Sequence, residues 1–70
     1  MNELHWTDAE DLAIELYEKF PETDPLTVRF TELRQKVIEL ASFADDAQAS
    51  NEGKLEAIQM AWYDEWKDNQ

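Results

Sequence analysis

Cysteine is absent from the 70 residues, so neither a disulfide nor a thiolate metal site can brace the fold. Histidine occurs once, at His5, which leaves no Cys–His or relay-type constellation for nucleophilic catalysis. The single glycine, Gly53, rules out a glycine-rich phosphate loop, and with only Pro21 and Pro25 beside it there is little loop material and no linker. No apolar run approaches the roughly 18 residues of a membrane span. The first residues, Met1 to Trp6, have neither the basic start nor the apolar stretch of a signal peptide. A single domain over residues 1–70, cytoplasmic and not bound to membrane, is the expectation.

Basic residues are scarce as well: six Lys and Arg face 17 Asp and Glu, a net charge of -11. Solubility alone normally needs a net charge of about 2 to 8 in magnitude. The surplus adds self-repulsion to the compact state and so argues for a use. It disfavours nucleic acid, whose binding rests on neutralising phosphates with Lys and Arg. The partners it favours are cations or a basic protein surface. With 43% hydrophobic residues and three tryptophans, a core built from side chains alone is feasible for a domain this small.

Periodicity gives three helices, near 8–20, 32–41 and 52–66. Thr7-Asp8-Ala9-Glu10 has the form of a capping box with Thr7 as N-cap, and Pro21 ends the first helix by pushing Phe20 out of the helical region. Leu12, Leu16 and Phe20 fall on one arc of that helix, with Tyr17 at its edge. Glu22-Thr23-Asp24-Pro25 reads as a turn, and 27–30 as a short β-prone stretch. Thr31 caps the second helix, with Leu33, Val37, Leu40 and Ala41 inward and Arg34 outward. Asp45-Asp46 lie in a polar loop. Ser50 or Asn51 caps the last helix, whose core face carries Leu55, Ile58, Trp62 and Trp66. Met60 and Tyr63 either complete the core, the ordinary reading, or form an apolar spot beside carboxylates. His5 is placed on a fraying, exposed terminus.

Asp8, Asp11, Glu15 and Glu18 recur at helical spacing on the side opposite the core, and Glu22 continues the series. Residues three or four apart on a helix are neighbours, so this stripe repels itself. It is read as a candidate partner surface, against the plainer reading of a solvated face. Carboxylates are hard oxygen ligands suited to Fe²⁺, Mg²⁺, Mn²⁺ or Ca²⁺. Glu15, Glu18 and Glu22 are the preferred candidates for a weak, open cation site, a diffuse counter-ion cloud being the alternative.

Trp6-Thr7-Asp8, the run Asp24-Pro25-Leu26-Thr27-Val28-Arg29-Phe30-Thr31, Ala49-Ser50-Asn51-Glu52, Leu55-Glu56-Ala57-Ile58 and Trp62 together resemble the IscX family, from about Leu4 to Glu65. The resemblance implies a mainly α, modified winged-helix fold with at most short strands. It implies a non-enzymatic, monomeric accessory factor of bacterial iron–sulphur cluster assembly that binds the cysteine desulfurase on a basic surface shared with ferredoxin and frataxin, and binds Fe²⁺ weakly. Carried onto this chain, the family's acidic positions are Asp8, Asp24, Glu32, Asp45, Asp46, Glu52, Glu56, Asp64 and Glu65. Ala44, Ala47 and Gly53 depart from its pattern. Competing readings are a dedicated iron donor and, from fold type alone, a nucleic-acid-binding winged helix.

Overall fold

The computed structural model describes residues 3–69, so Met1 and Asn2 of the signal-peptide reading and Gln70 of the tail lie outside the described residues. Three α-helices follow in order, α1 (Ala9–Lys19), α2 (Phe30–Ile38) and α3 (Glu52–Asp68), with single 3₁₀ turns at Pro25–Thr27 and Ala47–Ala49 between them. The mainly helical, three-helix class expected from periodicity is the class found. The β pairing among the described residues is one isolated parallel bridge, Leu4 to Phe43, and no wing of paired strands forms.

Each helix is ended by local chemistry. Phe20 precedes Pro21 and leaves the helical region at φ -129°, ψ 63°, while its N–H still donates to Leu16 O. Asp24 organises the following turn: its Oδ1 accepts the Leu26 N–H at 3.0 Å, and its carbonyl accepts the Thr27 hydroxyl at 2.7 Å. That turn replaces the expected strand. At α2, Glu32 Oε1 reaches back to the Arg29 N–H at 3.2 Å, so Arg29 is the N-cap and Thr31 lies inside the first turn. The helix therefore starts two residues earlier than expected, and it ends at Ile38, leaving Leu40 buried in the succeeding turn and Ala41 exposed. Asn51, of the two candidates, caps α3 by accepting the Lys54 N–H at 2.9 Å.

The core gathers Leu12, Ala13 and Leu16 of α1, Leu33 and Val37 of α2, and Leu55, Ile58 and Trp62 of α3, together with Val28 and Leu40. Phe20 packs against this cluster, with its ring centroid 6.4 Å from that of Trp62. Trp66 is only half-buried, and Met60 is exposed, so neither joins the core as expected. α1 and α3 form the main packing pair, with α2 against both. The Cα envelope measures 32 × 27 × 16 Å, thin enough that every helix has one dry and one wet face.

Two core residues escaped the helical pattern. Leu4 and Trp6 are buried, so the segment expected to fray is part of the fold. The Leu4 N–H donates to Ser42 O and the Ala44 N–H to Leu4 O, both at 2.8 Å. The Trp6 indole meets Phe43 edge-on at 4.7 Å and donates its Nε1–H to Asp46 O at 2.7 Å. His5, between them, is exposed as expected. Side chains pin the other connections. Arg34, expected to point outward, is half-buried and donates from Nε and Nη2 to Ala47 O, and Gln59 Nε2 donates to the carbonyls of Pro25 and Val28.

Truncating Trp62 to alanine is expected to cost about 3–5 kcal/mol, most of the stability of so small a domain. A finer test compares two phenylalanine variants. The buried Trp62 Nε1 has no protein acceptor, whereas Trp6 Nε1 has one. Trp6→Phe should therefore be the more damaging in urea melts, by about 1 kcal/mol, because it alone forfeits a hydrogen bond. Equal losses would refute the assignment.

Candidate acidic docking surface

Among the described residues, no lysine or arginine forms an ion pair with an acidic side chain. The ion pair found among the described residues joins His5 Nδ1 to Asp8 Oδ2 at 3.5 Å, and no Lys or Arg of those residues lies within salt-bridge distance of a carboxylate. Five of the six Lys and Arg side chains are engaged elsewhere. Lys19 and Lys36 lie over the Phe20 ring, at 5.9 and 4.2 Å, and Lys67 over Tyr63 at 5.6 Å. Arg34 and Lys54 donate to the carbonyls of Ala47 and Ala49. The net charge of -11 therefore rests on carboxylates with no Lys or Arg ion partner among the described residues.

Not all carboxylates are equally available. Asp8 does not cap α1 in the manner expected of Thr7; it is itself the N-cap, half-buried, with Oδ2 turned back to accept the His5 N–H at 2.8 Å. Asp24 and Glu32 hold the turn and helix entry described above. Asp45 Oδ2 accepts the Trp6 N–H at 3.1 Å and its Oδ1 the Asp46 N–H at 2.7 Å, while Asp46 Oδ1 accepts the Gln48 N–H at 2.9 Å. Glu65 is bonded to Asn69 Nδ2 at 3.2 Å, and Glu39 to Gln35 Nε2 at 2.9 Å. Most of the acidic positions carried over by resemblance thus hold backbone or neighbouring amides.

The remaining predicted residues accept no hydrogen bond among the described residues. Asp11, Glu18, Glu22, Glu52, Glu56 and Asp64 are exposed and Glu15 half-buried. Glu15 and Glu18 border a shallow depression with Lys19, Leu40 and Ala41, and Glu22 lies beyond the end of α1. No three His, Asp or Glu side chains among the described residues are grouped to hold a metal ion, so Glu15, Glu18 and Glu22 are not gathered into a cage. On another flank, α1 and α3 bound a groove lined by Glu10, Ala13, Ile14, Ala61, Asp64 and Glu65. Ile14 and Glu10 were missed from sequence. The available signal was Ile14 itself, an isoleucine well off the core arc of α1.

The chain forms a thin, acidic three-helix domain, and no helix among its described residues is long and apolar enough to cross a membrane. Residues 4–67 match the family described as iron–sulphur cluster assembly, and the chain belongs to that family, the IscX family its sequence resembles. It is also similar to an uncharacterized protein of Pseudomonas aeruginosa, 53% identical over 62 residues that cover 89% of this chain and 94% of the relative.

The Trp6 and Asp46 N–H groups hold the Asp45 carboxyl below the usual aspartate range, with the His5 and Lys54 charges assisting. A depressed folded-state value means the stabilisation is complete above the ordinary aspartate pKa and is lost as pH falls through the depressed one. Melting temperature should therefore drop in that acid window. Asp45→Asn should be less stable at neutral pH and show a smaller acid-induced drop, followed by melts across pH and by carboxyl-carbon NMR. An unchanged acid profile in that variant would exclude Asp45 as the source.

Proposed function

We propose that this protein is a non-catalytic, cytoplasmic accessory factor of iron–sulphur cluster assembly that docks as a monomer, through its acidic surface, onto a basic surface of the cysteine desulfurase. The observation that carries the reading is the absence of any Lys or Arg partner for the carboxylates among the described residues, which leaves the whole field directed outward. Membership of the cluster assembly family supplies the setting. Opposite charge on the partner steers encounter and raises the on-rate, an effect that salt screens. Ferredoxin and frataxin, sharing that basic surface in the family's pattern, would compete with it.

Ferrous iron enters this reading as a weakly held ion, attracted by exposed carboxylates that do not form a cage. Carboxylates without fixed geometry confer little selectivity, which favours an adaptor over a dedicated iron donor.

Titration onto purified desulfurase tests the docking. Affinity should fall steeply between about 0.05 and 0.5 M salt, chiefly through the on-rate. Reversal of Glu15 and Glu18 to lysine should weaken binding with the helical circular dichroism unchanged. Salt-independent affinity would sink the electrostatic reading. For iron, a diamagnetic substitute such as Mg²⁺ should shift signals of all the acidic stretches together, fading as salt rises. Early, salt-resistant shifts confined to residues 15–24 would instead restore a local site at Glu15, Glu18 and Glu22.

A further inference from the structure

On α1, Ile14 is 44% exposed and stands one turn from Glu10 on one side and Glu18 on the other. On α3, Met60 is 46% exposed and stands one turn from Glu56 and Asp64. None of these four carboxylates accepts a hydrogen bond or meets a Lys or Arg among the described residues. Ile14 also forms, with Ala13 and Ala61, the apolar part of the groove between α1 and α3, while Glu10, Asp64 and Glu65 supply its charge. An apolar centre surrounded by polar groups is the anatomy of a protein-binding patch, and the small side chains of Ala13 and Ala61 leave room beside Ile14.

We propose that the α1–α3 groove is the seat of the docking interface: an apolar side chain of a basic protein surface lies against Ile14 between the two helices, and Lys or Arg residues flanking it pair with Glu10 and Asp64. The occupant follows from charge complementarity, because a groove ringed by carboxylates without Lys or Arg partners repels an acidic segment, would be desolvated uncompensated by a wholly apolar one, and draws a cationic one. A second copy of this chain, at a net charge of -11, is disfavoured on the same ground. The assignment rests on the desulfurase reading for the identity of the partner, and it moves the centre of contact away from Asp45-Asp46, whose oxygens serve Trp6 and the 46–48 backbone. It also separates two contributions. Charge governs encounter and weakens with salt, whereas the seated side chain governs residence and does not.

Four variants of the full chain test this against purified desulfurase: Ile14→Ser, Ile14→Leu, the pair Glu10→Gln with Asp64→Asn, and Leu26→Ser. Leu26 is 54% exposed and outside the groove, so it controls for loss of exposed apolar surface. Ile14→Ser should weaken binding about tenfold at both about 0.1 and 0.5 M salt. Ile14→Leu should keep most of the affinity, the charge pair should lose affinity at low salt only, and Leu26→Ser should match the parent. Since Ile14 is half in solvent, circular dichroism should show every variant folded. Parental affinity in both Ile14→Ser and the charge pair would overturn the groove and leave the desulfurase reading standing. If the parent itself fails to bind desulfurase, that reading falls, and NMR titration with a lysine-rich helical peptide carrying one leucine decides the groove alone. Early shifts at Ala13, Ile14 and Ala61 would sustain it, and uniform shifts along all acidic stretches would overturn it. Sedimentation showing parental self-association that Ile14→Ser abolishes would also overturn it, by making a second copy the occupant.

Discussion

Repulsion among 17 acidic side chains acts on a small core in a domain only 16 Å thick in its shortest dimension, and no Lys or Arg ion pairs among the described residues offset it. Cohesion must therefore come from apolar burial and from hydrogen bonds in which one partner is the backbone. Leu12, Leu16, Leu33, Val37, Ile58 and Trp62 supply the first, each withdrawn wholly from water. The second is supplied by side chains reaching into connections: Arg34 to Ala47, Gln59 to the carbonyls of Pro25 and Val28, Asp24 to Leu26. Five of the six cations contact carbonyls or aromatic rings and form no close ion pair with a carboxylate among the described residues. Stability and an outward-directed charge are thereby compatible in one small domain.

Carboxylates divide into two populations under that arrangement. Those in turns and at helix entries, such as Asp24, Glu32, Asp45 and Asp46, face N–H groups that would otherwise lack a partner. Those along the wet faces of α1 and α3, such as Glu10, Glu18, Glu56 and Asp64, meet only solvent among the described residues. The acidic positions carried over from the family resemblance therefore report fold as much as contact. Membership of the iron–sulphur cluster assembly family is secure on the match over residues 4–67, but the residues that touch a partner are to be sought in the second population.

Helix number, the Leu12–Leu16 and Ile58–Trp62 faces and the break at Pro21 were legible in sequence because a 3.6-residue period and a proline act locally. Helix entries were less so. Threonine is a good N-cap in general, yet Asp8 and Arg29 occupy those positions, the latter because Glu32 can close the turn from the inside. Leu4 and Trp6 gave no periodic sign, since their partners lie in the 42–46 loop, about 40 positions away; Trp6 entered only through family likeness. At the surface, the acidic surplus was plain from composition, but its sorting into bonded and unbonded carboxylates depends on where each loop folds back. Ile14 was visible as an apolar residue off the core arc; the groove that gives it a setting exists only once α1 and α3 are packed.

The attachment of Leu4 and Trp6 to the 42–46 loop also sets an order in time. These residues leave the ribosome before Ser42, Asp45 and Asp46, which follow 38 to 40 positions later. At synthesis rates of about 5–20 residues per second, the delay is about 2–8 seconds, far longer than a helix needs to form. During that interval a leucine and a tryptophan stay wet on the nascent chain. Their docking cannot precede the synthesis of the 42–46 loop, so burial of these two side chains lags well behind their own translation.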